Sequence, residues 1–298
     1  FLSSRFRGRR FVIDVRAKDV MVKDVAFVSI PGYRDQVLKT LKERRVSGVP
    51  VVKGGELVGM VTRTDLLRNP EEDQTALIMT RDPLLVHPED SVVEAARLLA
   101  ENDIRRLPVV EDGSLVGIVS VADIIRVIAD LEIKRSIERY FEKATVALWD
   151  EMPLPVAGAV MEYADVQASP VLNSDLNLVG IISDRDLINA SIIEDSVEMA
   201  NMSAASDEDE WTWESTRDTL NFYYGVSRIA LRKIPVKQAM VPAVTAIKSN
   251  EVSECARLMM RSKIDQLPVV TAHQKLAGML KDSDLLWALI EHSLEAGN

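Results

Sequence analysis

Four aspartates, Asp65, Asp123, Asp186 and Asp284, each close a segment of the form Gly-h-h-[Ser/Thr]-x-x-Asp, in which h is apolar. A hydroxyl stands three residues upstream in three of them, at Thr62, Ser120 and Ser183, and Lys281 takes that place in the fourth. Two chemistries suit this spacing. A Ser or Thr followed three residues later by Asp is the capping-box pattern, in which hydroxyl and carboxylate serve the unpaired N–H groups of a helix start. The same carboxylate can accept from both hydroxyls of a ribose, as acidic residues do in dinucleotide folds, and the adjacent helix N-terminus favours anions. Either way, each aspartate belongs in the first turn of a helix.

The elements that must hold these residues recur with them. Each segment follows a Pro-Val strand, at Pro50-Val51, Pro108-Val109, Pro170-Val171 and Pro268-Val269. The Gly-to-Asp offset is 6 in every copy and the Pro-to-Gly offset is 9, 9, 10 and 10, so the chain is a fourfold internal repeat. Periodicity and turn chemistry predict strand, helix, strand, strand, helix in each unit. In the second, Leu84 to Val86 reads as a short strand broken by His87-Pro88, and Ser91-x-x-Glu94 as a capping box. Its helix carries Val92, Ala96 and Leu99 on one face, and Leu107 to Val110 with Leu115 to Ser120 form a hairpin around Glu111-Asp112-Gly113. Unit one repeats this with Val37, Leu38 and Leu41 on its helix and Gly54-Gly55 at its hairpin; unit four does so with Val252, Cys255 or Ala256, and Met259. Unit three is less regular, with Pro153 and Pro155 in its opening.

These repeats, with the openings Asp19-Val20-Met21 and Lys237-Gln238-Ala239-Met240, resemble cystathionine β-synthase (CBS) domains. The resemblance implies an α/β fold in which repeats pair about a pseudo-twofold axis into Bateman modules, one with two and three with four, the whole commonly a flat disc. The expected divisions are a basic N-terminal segment 1–16, repeats at 17–70, 76–130, 147–192 and 233–294, a connecting helix over 131–146 with Ile133, Ile137 and Tyr140 on one side, and an insertion over 193–232. The insertion holds Asp207-Glu208-Asp209-Glu210 and the aromatics Trp211, Trp213, Phe222, Tyr223 and Tyr224, read as a lid packed on its own domain or as a partner site.

In nucleotide-binding members such as the gamma subunit of AMP-activated protein kinase, the ribose aspartate of one repeat works with basic residues just before the Leu-Pro-Val of its partner. By that resemblance Asp65 and Thr62 pair with Arg105 and Arg106, whose forked donors match phosphate oxygens. The plainer alternative is that these arginines are solvated or salt-bridged. Asp186 and Ser183 meet Asp265-Gln266, where a carboxylate repels phosphate; Asp123 and Ser120 face Val46-Ser47-Gly48, and Asp284 faces Val166-Gln167-Ala168, without charge. Lys281 could reach a phosphate in place of the missing hydroxyl, and Arg63 and Arg185 are further candidates.

Other chemistries find little support. His87, His273 and His292 lack metal spacing, Cys255 is the single cysteine, and neither a phosphate-binding G-x-x-x-x-G-K-[S/T] loop nor a G-x-G-x-x-G turn occurs. No catalytic residue, metal site or catalytic cofactor is expected. The 298 residues suggest about two domains. A net charge of −10 argues against nucleic-acid binding across the surface, although Arg5, Arg7, Arg9 and Arg10 form a basic start, read first as a solvated tail. One cysteine and no long apolar run point to a soluble, cytoplasmic protein, and the initial Phe1 to a natural start upstream. The expected function is a regulatory sensor of AMP, ADP or ATP that signals to an effector protein, with homo-oligomer formation open. A non-binding scaffold, an S-adenosylmethionine binder and a nucleic-acid binder are the alternatives.

Overall fold

A computed structural model describes residues 14–44, 46–69, 72–202 and 220–296. They group into two compact units, one drawn from 14–144, 244–273 and 277–296, the other from 145–202, 220–243 and 274–276. Every repeat has a first helix, a β-hairpin and a second helix. The first helices are Arg34–Glu43, Val92–Glu101, Leu154–Tyr163 and Val252–Ser262, and the second are Arg63–Arg68, Val121–Asp130, Asp184–Asn189 and Asp282–Ala296. Hairpin turns fall at the expected glycines: Gly54 and Gly55, and Asp112 and Gly113, take positive φ, as two-residue turns between twisted strands require. Pro155 sits in the first turn of its helix, where its missing N–H costs nothing.

In the first unit, repeats one and two share a six-stranded sheet. Strands Val28–Ser29, Gly48–Lys53, Glu56–Thr62, Ser114–Ser120 and Arg106–Glu111 cross it in that order, with Thr80–Arg81 also paired to Glu56–Thr62. The helices of repeats two and four close over one core that contains Val92, Ala96, Leu99, Ile124, Val252, Met259 and Leu289. Polar groups lock this contact: Ser253 Oγ donates to the Ile128 carbonyl at 2.6 Å and accepts from Ile133 N–H at 2.7 Å. Arg257 donates to the Ala129 carbonyl at 2.8 Å, serving an orphan acceptor at a helix C-terminus. The second unit has its own core around Leu148, Leu154, Met161, Val171 and Ile182.

The opening segments explain the motif glycines. Met21, in the opening of repeat one, packs on Gly117 of repeat two, and Met79, in the opening of repeat two, on Gly59 of repeat one. Met240, in the opening of repeat four, packs on Gly180 of repeat three, and Phe141, in the opening of repeat three, on Gly278 of repeat four. The residue after each then pairs with the strand beside the glycine: Val22 with Ile118, Thr80 with Met60, Val241 with Ile181 and Glu142 with Met279. A Cβ at Gly180 would lie 2.7 Å from Met240 Sδ and 2.9 Å from the Val241 carbonyl oxygen, closer than packing allows. Gly180→Ala is therefore expected to lower stability by about 1–3 kcal/mol, read as a shifted urea midpoint with unchanged slope.

Several local expectations need correction. The stretch 131–146 is not a helix: the preceding helix ends at Asp130, Glu132 has φ 53°, and only Ile137–Arg139 forms a 3-10 turn. Its apolar spacing reflects docking on repeat four, where Ile137 N–H donates to the Asn250 carbonyl at 3.0 Å. In place of a strand from Leu84, only Val86 forms a bridge, to Val109. Ser91 Oγ accepts from Glu94 N–H at 3.1 Å, but the Glu94 carboxylate turns to Arg97 at 3.0 Å, so the capping box is half made. Leu38 is exposed because the core stripe runs through Val37 and Leu41 alone. Within the insertion, Ser191–Met202 pairs antiparallel with Leu220–Leu231, the strand that contains Phe222, Tyr223 and Tyr224. The acidic run, Trp211, Trp213 and the N-terminal arginines lie outside the described residues. Among those described, no helix is long and apolar enough to cross a membrane.

Candidate functional site

All four aspartates cap the second helix of their repeat. Asp65 Oδ2 accepts from Thr62 N–H at 2.8 Å and Thr62 Oγ1 at 2.6 Å; Asp186 Oδ2 accepts from Ser183 N–H at 2.9 Å and Ser183 Oγ at 2.6 Å. Asp123 Oδ2 does the same with Ser120, at 2.9 and 2.5 Å, and Asp284 Oδ2 accepts from Lys281 N–H at 2.7 Å. The next N–H ties each helix start to the residue just before its own first hairpin strand, with Arg63 N–H donating to the Ser47 carbonyl, Val121 to Arg105, Asp184 to Gln167 and Asp282 to Asp265. The cap thus fixes the carboxylate while using one of its two oxygens.

The other oxygen separates the sites. Asp123, 4% exposed, accepts at Oδ1 from Arg126 at 2.6 Å. Lys281 Nζ lies 3.2 Å from Glu142, and burial pushes the Asp284 carboxyl up to about 6 against the pull of Lys281 N–H. Asp65 and Asp186 are partly buried, and Arg185 is exposed.

The two candidate phosphate ligands part company. Arg106 crosses from repeat two to repeat one, donating to the Gly48 carbonyl at 2.9 Å and to Ser47 Oγ. Gly48 is the register partner of Thr62, so this guanidinium lies beside the Asp65 cap. Arg63 is near as well, donating to the Val46 carbonyl at 3.3 Å. Burial holds the Arg106 pKa below the usual arginine value, and the charges of Arg105 and Arg63 add to this. Among the described residues Arg106 has no carboxylate partner, so it is a partly desolvated cation without a counter-ion.

Arg105 points elsewhere. It grips Asp282 of repeat four through both oxygens, at 3.1 and 2.8 Å, and lies 3.9 Å from Asp265. Burial opposes the charge on Arg105, but the Asp282 hydrogen bond and charge outweigh it and raise the pKa. Asp282 is 6% exposed, and burial keeps its carboxyl above the usual range despite Arg105. Sequence reasoning passed over Asp282 and Arg126. Asp282 sits inside the fourth motif, between Lys281 and Asp284, but nothing local links it to Arg105. No cluster of His, Cys, Asp and Glu suited to a metal ion occurs among the described residues.

A chain of four strand-hairpin-helix repeats, with an aspartate capping each second helix and openings exchanged between repeats, is a tandem-repeat α/β protein of the Bateman type. The CBS domain model matches residues 17–72, 75–130, 138–193 and 236–291, and the chain belongs to that family. A crystal structure of an uncharacterised conserved protein from Pyrococcus horikoshii is similar over 92% of this chain and 100% of its own, with 27% identity and a TM-score of 0.66. Protein MJ1225 of Methanocaldococcus jannaschii, described as a proposed archaeal homologue of γ-AMPK, shares the fold at a TM-score of 0.63 and 19% identity, covering 92% of this chain and 100% of that one. In sequence MJ1225 is 25% identical over 59% of this chain and 70% of its own length. Inosine-5'-monophosphate dehydrogenase of Korarchaeum cryptofilum is 38% identical over 37% of this chain, which spans only 23% of the enzyme.

Proposed function

We propose that this protein is a regulatory ligand sensor whose first two repeats bind an adenine nucleotide at Asp65 and pass the bound state to an effector protein. The observation that carries the reading is Arg106, a partly buried guanidinium with no carboxylate partner among the described residues, held beside the Thr62–Asp65 cap. An uncompensated cation costs stability unless a ligand anion completes it. In the bound state Asp65 Oδ1 receives ribose hydroxyls while Oδ2 stays in the cap, and Arg106 and Arg63 take the phosphate. The adenine preference comes from the family resemblance. A sulfonium ligand such as S-adenosylmethionine meets the two guanidiniums as a like charge, which disfavours it. Asp123, with Ser120 and Arg126, is a weaker second site, and Asp186 with Ser183 and Asp284 with Lys281 follow. The chain carries no catalytic role in this reading, and a ligand passes a signal only by binding one arrangement more tightly than another.

Thermal unfolding tests the reading with AMP, S-adenosylmethionine and GTP on the wild type and Asp65→Asn. Ligand at a hundred times its Kd stabilises by about 2.7 kcal/mol, so AMP is expected to raise the midpoint saturably and Asp65→Asn to abolish most of the rise. No shift with any ligand at millimolar concentration would favour a scaffold in which the aspartates serve as caps alone.

A further inference from the structure

We infer that Asp265 and Asp282 make the Asp65 site selective for a ligand with a single phosphate group, by holding Arg105 away from it and leaving net negative charge beside it. This rests on the assignment of Asp65 and Arg106 given above.

Arg105 and Arg106 are neighbours in the chain, yet their side chains diverge. Arg106 reaches Ser47 and Gly48 of repeat one, whereas Arg105 turns to Asp282 and Asp265 of repeat four. One guanidinium between two carboxylates leaves that cluster with net negative charge. Asp282 is 6% exposed and answered by Arg105 through both oxygens, so the charge in excess is that of Asp265, about half exposed and 3.9 Å from the same guanidinium. A second phosphate could recruit Arg105 only by stranding the buried Asp282 carboxylate, which is costly. Arg63 and Arg106 remain, and two guanidiniums balance one phosphate dianion.

The sequence pair Arg105-Arg106 offers two guanidiniums for phosphate, but the ion pair with Asp282 takes one of them away. A ligand with one phosphate finds its charge balanced. Each added phosphate meets the acidic cluster with no cation to spare.

Titration calorimetry in magnesium-free buffer tests this with AMP, ADP and ATP on the wild type, Asp265→Asn, Asp282→Asn and Asp65→Ala. The component of each isotherm that Asp65→Ala removes is the one compared, which sets aside any binding at the other repeats. The wild type is expected to favour AMP over ATP by about tenfold or more, and each Asn variant to narrow that ratio severalfold with little change in AMP affinity. Asp265 is about half exposed, so Asp265→Asn keeps the test valid even if Asp282→Asn folds poorly. Equal affinity for AMP and ATP in the wild type, or a ratio unmoved in Asp265→Asn, would overturn the selectivity while leaving the site intact. If Asp65→Ala removes no component for any nucleotide, the site assignment fails and the selectivity with it.

Discussion

Arg105→Ala is expected to lose about 2–4 kcal/mol of stability at pH 7.5, and most of that loss should disappear as the pH falls toward 4. The variant leaves Asp282, 6% exposed, without the guanidinium that grips both its oxygens. Breaking a buried pair costs more than the pair contributes, because one charge stays behind unsolvated. Arg105 itself is 45% exposed, which places the expected loss in the lower half of the range. The pH dependence follows from the direction of the shift. Burial already holds the Asp282 carboxyl above its usual value, and removing Arg105 takes away the main influence pulling it down. Above that raised pKa the variant carries an unpaired charge; as the pH falls from there toward the unfolded value near 3.9 the folded chain takes up the proton and the penalty declines progressively to nothing. Urea unfolding at several pH values would show this, and Arg105→Ala combined with Asp282→Asn should be more stable at pH 7.5 than Arg105→Ala alone. A deficit independent of pH would contradict the buried-charge account.

Its neighbour should behave in the opposite way. Arg106→Ala is expected to change stability by no more than about 1 kcal/mol, since it trades hydrogen bonds to the Gly48 carbonyl and Ser47 Oγ for relief of an uncompensated cation. AMP affinity should nevertheless fall by about a hundredfold, the worth of two charge-assisted hydrogen bonds to a phosphate. Binding and unfolding measured on the same preparation separate the two effects. A variant that loses stability but keeps its AMP affinity would make Arg106 a structural residue. The pair of variants therefore distinguishes two adjacent arginines of the same residue type by what faces them across the fold.

That contrast also marks where sequence reading ends. The capping boxes were legible because hydroxyl and carboxylate stand three residues apart and the helix start settles the rest locally. The hairpins were legible for the same reason, through Gly54-Gly55 and Asp112-Gly113. Arg105 was not, because Asp282 lies 177 residues away and only the packing of repeat two on repeat four brings them together. The false connecting helix has the same origin. Ile133 and Ile137 are buried by tertiary contact, and apolar spacing cannot tell a helix face from a loop pinned at intervals. The motif glycines were visible as a pattern, but their reason, a methionine or phenylalanine from another repeat's opening, requires the fold.

A crystal structure of the protein grown with AMP would test the central claim most directly. The account predicts a nucleotide at the first two repeats, its ribose hydroxyls on Asp65 Oδ1 and its phosphate within hydrogen-bond distance of Arg106, with Arg105 still paired to Asp282. AMP bound only at other repeats, or no AMP at a concentration that saturates the protein in solution, would contradict it.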